Sequence, residues 1–169
     1  MVGLGNPGEK YARTRHNVGF EVAKELAERL GLPKFKTKYG GLYTEGKRVA
    51  VLLPQTYMNE SGNSVGPARG ALSVDLDHVI AVHDEIDLPF GKVEVRTGGG
   101  LAGHNGLKSL KRGLGSGDFT RVRVGVGRPD TTDPEIVSRY VLGRFSEKEA
   151  DVRGLIEQAA DELDRLVTA

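Results

Sequence analysis

Four histidines, and the asparagines Asn6, Asn59 and Asn105 where loops meet apolar segments, are the side chains of this sequence best suited to chemistry. His16 lies in the polar run Arg13-Thr14-Arg15-His16-Asn17, between a glycine loop and a stretch of helical periodicity. His83 adjoins Asp84-Glu85-Ile86-Asp87 at the end of the strand-like run Val79–Val82. Ligands collect at the carboxyl ends of strands in α/β sheets, so Asp84 is well placed to meet a histidine from the first loop. A His–Asp pair in a chain without cysteine, and with no serine read as a nucleophile elbow, points to an imidazole that activates water while the carboxylate fixes its tautomer. Taken singly, each histidine is more simply explained by a surface or packing role.

Asp84, Glu85 and Asp87 beside His83 also make an acidic cluster that invites a metal reading. Neither H-E-x-x-H nor an EF-hand loop is present, and the cluster runs into Leu88-Pro89, an ordinary turn, so no metal ligands and no cofactor are assigned. The three asparagines offer neutral amides able to hold peptide carbonyls and N–H groups without charge, although asparagine is also a common cap.

Two glycine loops frame these residues. Gly3-Leu4-Gly5-Asn6-Pro7-Gly8 matches G-x-G-x-x-G after a strand, but no helix starts until after His16 and no acidic residue closes a second strand about 20 residues on, as the ribose contact would require. A tight turn or a loop presenting Asn6 is the better reading. Gly98-Gly99-Gly100-Leu101-Ala102-Gly103-His104-Asn105-Gly106 opens into a helix with Leu107, Leu110 and Leu114 on one face and Lys108, Lys111 and Arg112 on the other. Such a helix start beside a basic face suits a phosphate or other anion. A helix on a sheet with solvated lysines fits the segment equally well.

The scaffold follows from apolar periodicity. Strands are expected at Val2–Leu4, Val49–Leu53 and Val79–Val82, with half-buried strands at Lys92–Arg96 and Arg121–Val126. The first is unusually short, since only Met1 to Leu4 precede the loop. Helices are expected at Val18–Leu30, Ser61–Leu72 and Leu107–Leu114. A last one starts at Ser146, whose spacing to Glu149 is that of a capping box, and runs to about Val167. Strands alternating with helices imply an α/β fold, one domain over residues 1–169 with a mixed, largely parallel sheet between helices in three αβα layers.

Composition narrows the function. At 169 residues the chain suffices for one core, and with no cysteine it has no disulfide, thiolate metal site or cysteine nucleophile, which suits a reducing, cytoplasmic setting. The longest apolar run, Val49 to Leu53, is far short of a membrane span, so no membrane partner is expected. The net charge of +1 hides alternation: residues 9–48 and 92–123 each carry +5, residues 49–91 carry −5 and residues 146–169 carry −4. A one-sided basic surface, or solvated faces alternating in sign, would both produce this.

Five blocks in order carry a resemblance: Val2-Gly3-Leu4-Gly5-Asn6-Pro7-Gly8, Tyr11-x-x-Thr14-Arg15-His16-Asn17-Val18-Gly19, Pro54-x-Thr56-Tyr57-Met58-Asn59-x-Ser61-Gly62, His83-Asp84-Glu85-Ile86-Asp87-Leu88, and Gly98-Gly99-Gly100-x-x-Gly103-His104-Asn105-Gly106-Leu107. Together they closely resemble bacterial peptidyl-tRNA hydrolases. The resemblance implies hydrolysis of the ester joining a peptide to the 3′ ribose of tRNA, without metal or other cofactor, by a cytoplasmic monomer. Matched residue by residue, His16 resembles the catalytic base, Asp84 its partner, and Asn6 the asparagine that helps distinguish blocked from free aminoacyl ends. Asn59 and Asn105 resemble substrate-holding asparagines, and Tyr11 and Tyr57 aromatic contacts near the 3′ end. Arg96, Arg123 and Lys108 fall among the basic residues expected at tRNA phosphates. The departures are a clipped N-terminus and Phe90 after Leu88-Pro89, neither at a catalytic position. Two other functions compete: a metal-dependent nucleotide hydrolase using the acidic cluster, and an RNA-binding module without chemistry.

Overall fold

The apolar runs become strands of one seven-stranded sheet in the computed structural model, which describes residues 1–168. The elements in chain order are β1 (Val2–Gly3), α1 (Val18–Arg29), β2 (Lys36–Lys38), β3 (Gly41–Glu45), β4 (Ala50–Pro54), α2 (Gly62–Leu72), β5 (Ile80–Glu85), β6 (Val93–Thr97), α3 (Asn105–Leu114), β7 (Thr120–Gly125), α4 (Pro134–Val141) and α5 (Glu149–Thr168). The sheet order is β2-β3-β4-β1-β5-β7-β6. Its centre, β4-β1-β5-β7, is parallel, whereas β2 and β3 at one edge and β6 at the other pair antiparallel.

Side chains alternate across a strand, and β4 shows what that does here. Val51 and Leu53 pack with Val22 and Leu26 of α1 and with Leu155, Ala159 and Leu163 of α5. Leu52 turns the other way, toward Val65 of α2 and Leu107 and Leu110 of α3. The sheet is therefore covered on both faces, as the near-continuous apolar runs of its central strands require, and the three expected layers are present. The α2–α3 crossing is close because small residues meet there. A Cβ on Gly62 would stand 2.1 Å from the Ser109 carbonyl oxygen, and the Gly62 N–H donates to Ser109 Oγ at 2.8 Å. Among the described residues no helix is long and apolar enough to cross a membrane.

Several boundaries differ from expectation for identifiable reasons. The last helix begins at Glu149 rather than Ser146. The Lys148 carbonyl accepts its first turn's N–H groups, from Asp151 and Val152, and Ser146 Oγ faces Arg15 Nη2 at 3.5 Å instead. β5 continues past Val82 through His83, Asp84 and Glu85, because parallel pairing with β7 carries on to Gly125. β7 is not half-buried: Arg121 through Gly125 are all buried, because Arg121 and Arg123 have their charged ends bound inside the protein. β2 shows no apolar pattern because Lys36, Thr37 and Lys38 are all exposed at the sheet edge. α4 had a legible start, Asp133 capping the Glu135 N–H with Pro134 in the first turn. The first glycine loop leads into 3₁₀ turns at Glu9–Tyr11 and Arg15–Asn17, not into a helix N-terminus.

Candidate active site

Asp84 is near the carboxyl end of β5 and is 2% exposed. The 3₁₀ turn Arg15–Asn17 brings His16 over it, with His16 Nδ1 at 2.9 Å from Asp84 Oδ2 and 3.0 Å from Oδ1. An ionised carboxylate only accepts, so Nδ1 carries the proton and Nε2 keeps its lone pair for another partner. Burial opposes charge on His16, but the Asp84 charge and hydrogen bond outweigh it and raise the imidazole pKa above its ordinary value. Asp84 also feels burial, which opposes ionisation; His16 and His104 more than offset it and hold the carboxyl well below the usual range.

His104 completes the group. Its Nδ1 accepts the N–H groups of Gly106 and Leu107, at 3.1 and 3.3 Å, as the N-cap of α3. The ring proton must therefore be on Nε2, which donates to Asp84 Oδ1 at 2.8 Å. One neutral imidazole thus caps a helix and anchors the carboxylate. The α3 start expected to receive an anion has its first N–H groups occupied by this cap. The sequence reading passed over His104; the signal was a histidine at the cap position between a glycine loop and an apolar period. His83 is fully buried, donates from Nδ1 to the Asp84 backbone carbonyl at 2.7 Å, and leaves Nε2 without a partner among the described residues. Burial first, then the neighbouring His104, lowers its pKa to about 3, so it stays neutral.

Asn6 closes the other side. Its N–H donates to Asn17 Oδ1 at 2.8 Å and its carbonyl accepts from Asn17 Nδ2 at 2.9 Å. The Met58 N–H donates to Asn6 Oδ1 at 2.7 Å, which fixes the amide orientation and leaves Nδ2 as a donor with no partner among the described residues. Met58 is also the nearest side chain to Gly106, where a Cβ would meet its Sδ at 2.6 Å. Asn59 follows Met58 and Asn105 precedes Gly106, so the three asparagines share one neighbourhood, Asn6 buried and the other two exposed.

The remaining expected residues differ in kind. Tyr57, next to Met58, is 60% exposed, and Tyr11 is half-buried with Lys10 Nζ 5.4 Å from its ring centroid. Lys108 is exposed on α3. Arg96 is exposed on β6, 3.1 Å from Glu94. Arg123 corrects the phosphate expectation: it is 9% exposed and its guanidinium is bound between Glu85 and Glu94, so its charge is balanced within the sheet. The acidic cluster is dispersed, with Asp84 on the histidines, Glu85 on Arg123 and Asp87 3.3 Å from Arg128. His16, Asp84 and His104 are themselves of metal-binding type and spacing, although the atoms that would ligate are those already sharing hydrogen bonds.

Gly62-Asn63-Ser64-Val65-Gly66 has nucleophile-elbow spacing, which the sequence reading missed. Ser64 is buried within α2 and donates to the Tyr39 carbonyl at 2.6 Å, so it is no exposed strand-to-helix nucleophile. A cavity of about 570 Å³ lies at the amino ends of the strands among Met1, Ala50, Leu72, Val79 and Ile80, away from His16, His83 and His104. A cleft of about 280 Å³ has Asn6 and Asn17 in its wall.

Comparison with known proteins gives a consistent set of relatives. Residues 1–169 match the family model described as peptidyl-tRNA hydrolase. The chain is 49% identical over 175 residues to a peptidyl-tRNA hydrolase of Mycobacterium avium, covering 99% of this chain and 90% of that protein. It is 49% identical over 154 residues to one of Methylocella silvestris, covering 89% and 77%. Among solved structures, it is similar to a peptidyl-tRNA hydrolase complexed with n-propanol, with TM-score 0.87, 37% identity and 99% and 87% coverage. It is also similar to the Acinetobacter baumannii enzyme, with TM-score 0.84, 34% identity and 99% and 91% coverage.

Proposed function

The chain belongs to the peptidyl-tRNA hydrolase family, and from that premise we propose that it hydrolyses the ester between a peptide, or an N-blocked amino acid, and the 3′ ribose of tRNA, with His16 as the base. The observation that carries this is that the Asp84 carboxylate accepts from both His104 Nε2 and His16 Nδ1, which leaves His16 Nε2 as a lone pair for water. Neutral His16 takes a proton as water attacks the ester carbonyl; the hydroxyl oxygen bonds to that carbon, and the ester C–O bond breaks to release the ribose hydroxyl, which takes up the proton. The Asn6 Nδ2 donor and exposed asparagine amides stabilise charge on the carbonyl oxygen. No metal is needed for this route.

Tyr57 and Tyr11 stack against the 3′ end, while Arg96 and Lys108 contact phosphates without reading sequence. Arg123 is not assigned a phosphate, because two carboxylates already hold it. The catalytic unit is one domain over residues 1–169, acting as a cytoplasmic monomer, in keeping with a chain that lacks cysteine. The test is turnover of N-acetylaminoacyl-tRNA and free aminoacyl-tRNA, each with and without chelator. Preferential, chelator-insensitive release of free tRNA from the blocked substrate is expected. Chelator-sensitive turnover would favour the metal-dependent hydrolase, and binding without turnover the RNA-binding module.

A further inference from the structure

The turn that carries His16 is held from both sides by buried polar residues. On one side Asn17 is locked to the Asn6 backbone. On the other, Arg15 reaches across the chain to the last turn of α4 and the segment that joins it to α5. Its guanidinium carbon lies 3.9 Å from the Tyr140 ring centroid and 5.9 Å from that of Phe145. Nη1 donates to the Tyr140 carbonyl at 2.9 Å, the Arg15 N–H donates to the Gly143 carbonyl at 3.0 Å, and Thr14 bridges to Arg144.

Arg15 is 7% exposed, its side-chain acceptors are a carbonyl and the distant Ser146 hydroxyl, and its Nε is buried without a partner among the described residues. A guanidinium desolvated in this way costs stability that an apolar residue filling the same space would not. What the planar cation adds is a stack and a directed hydrogen bond, a rigid link that a methylene chain cannot make.

We propose that Arg15 is a positioning residue for the catalytic base: by clamping the α4–α5 connection it fixes the 3₁₀ turn and thereby the approach of His16 to Asp84. The proposal rests on the reading of His16 as base. Arg15 acts through the backbone, since its side chain is turned toward Tyr140 rather than the reaction. The titratable groups facing His16 are Asp84 from β5 and His104 from the start of α3. Releasing the clamp loosens the first of these contacts.

The test compares Arg15→Met with Tyr140→Leu, which removes the stacking surface without altering the His16 segment. Melting temperature, kcat and KM for N-acetylaminoacyl-tRNA, and the NMR titration of the His16 ring are measured in each. Both variants should lose roughly 10- to 100-fold in kcat with KM little changed, since small misplacement of a catalytic group has that effect. The His16 midpoint should fall toward the free imidazole value of about 6.5. An unchanged kcat or an unchanged midpoint in folded protein, whatever the melting temperature does, overturns the proposal. Should Arg15→Met not fold, Tyr140→Leu decides alone. His16→Ala run alongside separates the two readings: if it keeps its turnover the base assignment fails, while the ring titration still reports whether Arg15 positions His16.

Discussion

At the scale of single residues, the chemistry open to the site is set by which atoms are already engaged. Asn6 Oδ1 is taken by the Met58 N–H, so only Nδ2 is left to meet substrate. Asn6→Asp keeps the acceptor for Met58 but replaces the donor with a second acceptor that attracts a free ammonium. The ratio of kcat/KM for N-acetylaminoacyl-tRNA to that for aminoacyl-tRNA should therefore fall; an unchanged ratio in folded, active protein would remove Asn6 from discrimination. His104 makes a second case. His104→Ala removes a helix cap and one of the Asp84 donors together, and should cost about 1 kcal/mol of stability from the cap alone as well as turnover. His104→Asn, which can still cap, should recover melting temperature more fully than rate, as calorimetry and steady-state kinetics would show. That His16 and Asp84 would meet was legible, because a loop histidine and a carboxylate at the carboxyl end of a strand point to such a pair. His104 was not, because its place at the start of a helix marks only a cap, and its contact with Asp84 is made across the fold. Arg123 misled for the converse reason: nothing local reveals that Glu85 and Glu94, distant in sequence, neutralise it.

At the scale of elements, the site depends on two close approaches. α1 lies against the sheet so tightly that a Cβ on Gly19 would stand 2.4 Å from the Val82 carbonyl oxygen, and α2 meets α3 at Gly62 and Ser109. Gly62→Ala should destabilise by about 1–3 kcal/mol through overpacking, and because α3 carries His104 at its start, turnover should fall with it. Urea denaturation gives the first quantity; a variant as stable as the parent would show that the two helices move apart at no cost. The long helices and central strands were readable from period and length. Edge strand β2 and the extension of β5 through Asp84 were not, since pairing with a neighbour, rather than local pattern, defines them.

At the scale of the whole molecule, charge and protonation become the observables. His83 is held neutral with a pKa near about 3, whereas an unfolded histidine binds a proton below about 6.5. The unfolded chain therefore binds more protons in that window, and this residue's contribution to stability is present above pH 6.5 and lost as the pH falls, at roughly 1.4 kcal/mol per pH unit. His16 runs the opposite way: its raised pKa stabilises fully below about 6.5 and fades as the pH rises through the folded value. The difference in melting temperature between the parent and His83→Asn should thus shrink or reverse from pH 7 to pH 5, and a constant difference would contradict the buried neutral ring. The basic segments around Arg96 and Lys108 should make tRNA affinity fall steeply with salt while catalysis on bound substrate does not. The central claim, that His16 is the base and Asp84 its partner, is tested most directly by the pH dependence of kcat/KM for N-acetylaminoacyl-tRNA in the parent, His16→Ala and Asp84→Asn proteins. The parent should rise through one ionisation above about 6.5; each variant should lose about 10²–10⁴-fold, His16→Ala losing that ionisation and Asp84→Asn moving it to lower pH because the charge that raises it is gone, with the double variant scarcely worse than His16→Ala. A His16→Ala protein that keeps near-parent turnover and the same pH profile would contradict it.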